Sequence, residues 1–217
     1  MNRSALLRVF SLLAIMLLAQ WFAYKEAAAE VAQWSREATM LSYETGARHI
    51  EIFAPDRKKK AVIDGIKLNV VTNGKHLLGM EDAGVNTLAE LQWSPNSKAF
   101  FVTESDGGAV GDWHVTVYLS ESRRVRSVDV SKEVVQSFKK YYRCKEPEEP
   151  NIGAVKWLNG AHRLLLVAEV PPHSSCLEMG KLRGYIVDIP TGKILQEFSE
   201  KKLRADWGVY LGRRLNG

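Results

Sequence analysis

Cysteine is scarce in this chain, charge of one sign is not in excess, and compact catalytic signatures are missing. Each absence removes a class of protein. There is no G-x-S-x-G, no H-E-x-x-H, no phosphate-binding loop and no dinucleotide fingerprint, so the common hydrolase, metalloprotease and nucleotide-dependent frames have no foothold. The formal net charge is +5 over 217 residues. Residues 1–29 hold Arg3, Arg8, Lys25 and Glu26, and without them 27 bases face 24 acids. The one basic run, Arg57-Lys58-Lys59-Lys60, sits at a predicted turn and reads as a solvated corner, which gives nucleic-acid binding no support. No cofactor is implied by any motif.

Long apolar runs are confined to the N-terminus. Arg3 and Arg8 precede an apolar stretch from Val9 to Tyr24, and Ala27-Ala28-Ala29 supplies small residues for cleavage before Glu30. This is the layout of a secretory signal. No twin arginine and no cysteine stands near the junction, which argues against a twin-arginine signal and a lipid-anchored start. The alternative is that residues 9–24 stay as a membrane anchor, although full spans need about 20 residues. The expected product is periplasmic or secreted, with residues 30–217 forming one domain. The composition of the whole chain, 46% hydrophobic and 25% charged, is globular.

Two cysteines, Cys144 and Cys176, are an even, small count, and in an exported protein this favours a disulfide over two free thiols. Closing that loop would contribute about 3–4 kcal/mol on the chain-entropy argument.

What the chain does have is repetition. Ile52-Phe53-Ala54-Pro55-Asp56-Arg57-Lys58, Gln92-Trp93-Ser94-Pro95-Asn96-Ser97-Lys98 and Lys156-Trp157-Leu158-Asn159-Gly160-Ala161-His162-Arg163 each run aromatic, then turn residues, then a base. An apolar strand follows each: Ala61–Ile63, Ala99–Thr103 and Leu164–Ala168. Asn73-Gly74 between apolar runs predicts a type I′ hairpin, because that turn needs φ > 0 at both positions. Trp113, Val115, Val117 and Leu119 alternate with more polar residues, as a strand with one buried face does. Pro190-Thr191-Gly192 predicts another turn. The expected fold is all-β: three consecutive four-stranded antiparallel meanders. A short helical lead-in is expected over residues 30–47, from Val31, Trp34, Ala38 and Leu41. One helix is inserted after Ser131, its apolar face Val134, Phe138 and Tyr141. Residues 199–217 read as a short helix and a tail.

The sequence from Trp93 to Val102, aromatic-Ser-Pro-Asn-x-Lys before an apolar strand, resembles the repeat of TolB-type and other WD-like β-propellers. The third copy replaces Ser-Pro with Leu158-Asn159, and the first has Phe53 for the tryptophan. The likeness covers about residues 49–198. It implies propeller-like, radially arranged blades whose functions are mostly recognition. Three blades are fewer than the usual four to eight. The array is then an open arc, is completed by its helices or lead-in, or closes by self-association.

The repeat register puts acids at one end of the second strands, Asp64, Glu104 and Glu169. Gathered together they would suit a cation or a basic partner; kept apart, they cap strands or pair with bases. Two long loops, 104–113 and 169–184, follow equivalent strands and should protrude on one side, with Asp106, Asp112, Trp113 and His173 as candidate binding groups. Their alternative is as ordinary hairpin loops. His173 and Cys176 lack the partners a zinc site or a nucleophile needs. The reading that follows is an exported non-catalytic binding or scaffold module of the cell envelope, its ligand a protein or small molecule. A second is an envelope hydrolase acting between the two long loops through Glu104, Glu169 or His173. A third is a membrane-anchored assembly subunit.

Overall fold

The structure is a computed structural model that describes residues 33–42, 49–86, 88–107, 111–142 and 148–216. The expected signal at 1–29, Thr45-Gly46 and Cys144 lie outside the described residues. In chain order the strands are β1 (Thr39–Ser42), β2 (His49–Phe53), β3 (Lys59–Asp64), β4 (Lys67–Thr72), β5 (Lys75–His76), β6 (Leu88–Trp93) and β7 (Ala99–Ser105). Next come β8 (Trp113–Ser120), β9 (Val125–Asp129), helix α1 (Lys132–Phe138), β10 (Asn151–Leu158), β11 (Arg163–Glu169), β12 (Leu182–Asp188) and β13 (Ile194–Ser199). Helix α2 (Glu200–Trp207), a 3₁₀ turn over Gly208–Tyr210 and helix α3 (Arg213–Asn216) end the chain. No helix among the described residues is long and apolar enough to cross a membrane.

The strands form three antiparallel sheets, β2-β3-β4-β5, β1-β6-β7-β8-β9 and β10-β11-β12-β13. Neighbours in each sheet follow one another in sequence except at β1. The turn chemistry explains this. Asn73 and Gly74 take φ of 49° and 74°, as the type I′ hairpin requires, and Gly192 takes 70°.

Two expectations are corrected. The lead-in is not helical over residues 33–42: β1 pairs with β6, which makes the second sheet five-stranded. Trp34, Ala38 and Leu41 do recur at helical spacing, but they enter three different apolar clusters, so the segment threads between layers instead of presenting one face. The sheets, of four, five and four strands, are also neither closed nor propeller-like. They stack side by side. Sheet one packs on sheet two through Ala61, Ile63, Leu68 and Val70 against Leu91, Phe100 and Val102. Sheet two packs on sheet three through Phe101, Val115 and Val117 against Leu164, Leu166 and Tyr185, with Val134 and Phe138 of α1 closing the edge. The far side of sheet three is covered by Leu203, Leu211 and Leu215 of the C-terminal segment and by Trp34 and Trp113. Sheet two is therefore covered on both faces, which is why Tyr118, expected on a more polar face, is buried. Ser131 does not cap α1 with its side chain; Asp129 Oδ1 accepts from the N–H groups of Ser131 (2.9 Å) and Lys132 (3.3 Å) instead.

The repeated aromatics hold the stack in register. Trp93 Nε1 donates to Ile52 O at 3.0 Å, and Trp157 Nε1 donates to Gln92 O at 3.2 Å. Ile52 and Gln92 precede the repeat aromatics Phe53 and Trp93, so each indole contacts the same backbone position one sheet back. Phe53 has no earlier sheet to reach and stays half exposed. Around it, His49, Glu51 and Lys60 stand where sheet two has Ala89, Leu91 and Phe100. Polar replacement of an apolar face ends a stack.

Candidate functional site

The strand register places the candidate residues at two opposite ends of the stack. Asp64, Glu104 and Glu169 do lie at the same ends of β3, β7 and β11, but each has its own partner. Asp64 is exposed and 2.6 Å from His49 Nδ1; that hydrogen bond, more than the one to Glu51, raises the His49 pKa. Glu104 is buried, accepts from the Asn86 N–H at 2.6 Å and meets His114 Nε2 at 3.2 Å. The same contact raises the His114 pKa against the opposing effect of burial. Glu169 is buried and receives Arg214 Nη2 at 2.6 Å and Nε at 2.9 Å. Burial still outweighs Arg214 and keeps the Glu169 carboxyl above its usual range.

The loop groups are similarly engaged. Asp106 Oδ1 accepts the Asp112 N–H at 2.8 Å, tying the loop shut on itself. Trp113 is a core residue whose N–H donates to Asn151 Oδ1 at 3.1 Å, so it is no surface platform. His173 is exposed and close enough to Glu169 to act on it electrostatically. Cys176 is buried. No group of three or more His, Cys, Asp or Glu side chains among the described residues could hold a metal ion.

The opposite end is built from the three repeat turns. Ala54–Lys59 and Ser94–Ala99 are the same turn made twice. Arg57 and Ser97 take φ of 59° and 58°. The Arg57 N–H donates to Ala54 O at 2.8 Å and the Ser97 N–H to Ser94 O at 2.9 Å. Asp56 and Asn96 each accept the N–H of the lysine two residues on, at 2.9 and 3.1 Å. This is the Asx turn that their short polar side chains favour. The turns touch. The Asp56 N–H donates to Ser97 Oγ at 3.0 Å, and a Cβ on Gly160 would lie 2.8 Å from Asn96 Nδ2. Gly160 is required there twice over, since its φ is +72°.

Beside these stacked turns lies a cleft of about 450 Å³. Its apolar wall is Leu119, Ala161, Ile189 and Pro190. Its polar rim is Lys59, Lys98, His162 and the turn Ser120–Ser122, so all three sheets contribute. Lys59 Nζ donates to Ser120 O at 2.9 Å, which holds the ammonium across from sheet one to sheet two. Partial burial lowers the Lys59 pKa; Asp56 opposes that shift and Lys98 adds to it. Glu121, the one acid on the rim, faces Arg126 Nε at 3.4 Å. Ser120 is buried, and its hydroxyl has no hydrogen-bond partner among the described residues.

The sequence puts its candidate groups at the acid end and presents the Lys59 turn as a solvated corner. The available signal was Lys98, the base that ends the second repeat turn; Lys59 and His162 each sit one residue from the corresponding base of their own turn. Comparison of the chain with protein-family models and with curated proteins finds no match.

Proposed function

We propose that this protein is an exported, non-catalytic binding module of the cell envelope, and that its binding site is the cleft at the repeat-turn end of the three stacked sheets. The observation that carries the reading is the cleft itself: a concavity within the usual size range of small-molecule sites, apolar on one wall, with a few polar groups converging from three sheets. The carboxylates at the other end support it indirectly. Glu104 and Glu169 are already engaged by Asn86, His114 and Arg214, which argues against either as a free catalytic acid between the long loops. Export rests on the signal-like residues 1–29, and the Cys144–Cys176 pairing is what an oxidising compartment would then favour.

A small-molecule library screened by amide chemical-shift mapping tests the site. Hits should perturb the amides of 96–98, 119–122 and 161–162. Hits that cluster on 104–113 and 173–181 instead would refute the placement. Intact mass of the exported protein tests the rest: a chain beginning at Glu30 is expected, and retention of residues 1–29 would favour the anchored subunit.

A further inference from the structure

We propose that the cleft selects an anionic small molecule, its acidic group held between Lys59 and Lys98 and its apolar body against Leu119, Ile189 and Pro190; this rests on the cleft being the binding site. The charge arrangement carries the inference. Two lysines and a histidine, Lys59, Lys98 and His162, reach the rim from three different sheets. Glu121, the one rim carboxylate, has Arg126 beside it. Lys98 bears on Lys59 as a like charge, with Asp56 opposing it, and an incoming anion would further relieve the repulsion between the two ammonium groups.

Ser120 stands at the centre of the arrangement. Its carbonyl takes the Lys59 ammonium at 2.9 Å, and its N–H donates to Lys98 O at 2.8 Å, so one residue fixes both lysine-bearing segments. Its buried hydroxyl lacks a partner among the described residues. Lys59 retains two further N–H groups after its bond to Ser120. Asn96 takes no part in this: its oxygen closes the turn and its NH₂ lies against Gly160.

The test is amide chemical-shift titration of the protein with four probes of similar size and different charge: phenyl phosphate, benzoate, benzyl alcohol and benzylamine. The two anions should bind, shifting the amides of 98, 119–122 and 161–162, and the tighter of the two identifies the acidic group as phosphate or carboxylate. Lys98→Gln, at an exposed position, should weaken anion binding roughly fivefold, as expected for losing one charge near 4 Å in high dielectric. Lys59→Gln should do the same, and raised salt should weaken binding to the native protein. If benzyl alcohol or benzylamine binds as tightly as the anions, or neither lysine variant weakens them, the anion inference falls while the cleft remains a binding site. If no probe shifts these amides, both readings fall.

Discussion

Replacing Arg214 with methionine removes the guanidinium that faces Glu169 and keeps most of the apolar stem. Both side chains are only 7% exposed, so the contact is shielded from water. The guanidinium also lies 4.9 Å from the Trp34 ring centre and 5.2 Å from that of Trp113. Removing one partner of a buried ion pair costs about 3–5 kcal/mol, chiefly because the remaining charge is stranded. For a domain of this size that is a fall of roughly 6–20 °C in Tm. The sign with pH follows from Glu169. Its native pKa already lies above the ordinary carboxyl value, so the folded chain holds a proton more readily than the unfolded chain. Stability contributed there falls as pH rises from the ordinary value towards the raised one. Loss of Arg214 pushes the native pKa further up and extends that window. Urea melts at pH 5 and pH 7.5 should therefore show a smaller deficit for Arg214→Met at the lower pH. The double variant Glu169→Gln/Arg214→Met should recover most of the loss. A single-variant cost below about 1 kcal/mol, the size of an average point mutation, or a double variant no better than the single, refutes the account.

Trp157→Ala should cost about 3–5 kcal/mol by cavity and lost burial, while Phe53→Ala, half exposed at the open end, should cost less than about 1 kcal/mol; equal costs in urea melts would deny that the first sheet ends the stack. Gly153→Ala would put a Cβ 2.0 Å from the Trp34 ring, so an overpacking penalty of about 1–3 kcal/mol and a changed tryptophan emission spectrum are expected; an unperturbed spectrum and melt would contradict that contact. Glu90 is fully buried, its pKa pushed well up by burial against the N–H bonds from Ser35 and Trp34, so its contribution to stability declines as pH rises above the ordinary carboxyl value. Glu90→Gln should flatten the pH dependence of the urea midpoint relative to native protein, and parallel curves would refute this. Because one outer face is polar and the other is covered by helices, light scattering at micromolar concentration should give a monomer, and a stable dimer would overturn the reading of both faces.

Much of the fold was legible because local chemistry agreed with it. Asn73-Gly74, Pro190-Thr191-Gly192 and the Pro-Asx-x-Lys turns admit few backbone paths, and they fix the hairpins on which the sheets depend. The lead-in was misread because spacing cannot distinguish one helical face from a strand whose apolar residues serve separate layers. Trp34, Ala38 and Leu41 are such a case. Glu90 sits among Leu88, Ala89 and Leu91 with nothing local to mark it as internal; its partners Trp34 and Ser35, the latter 55 residues away, belong to a distant segment. The cleft was hidden for a related reason. Lys59, Lys98 and His162 are each unremarkable on their own turn, and they become neighbours only when three sheets are laid face to face.

The first and last described segments are clasped together. The Gly212 N–H donates to Trp34 O at 2.7 Å, the Arg214 N–H donates to Gln33 O at 3.0 Å, and Ser35 bridges Leu211. Residue 33 and residue 216 can therefore be joined by a short linker without disturbing any sheet, and the chain reopened at an exposed hairpin such as Asn73-Gly74. Anything fused to one end of the domain will emerge beside whatever is attached to the other.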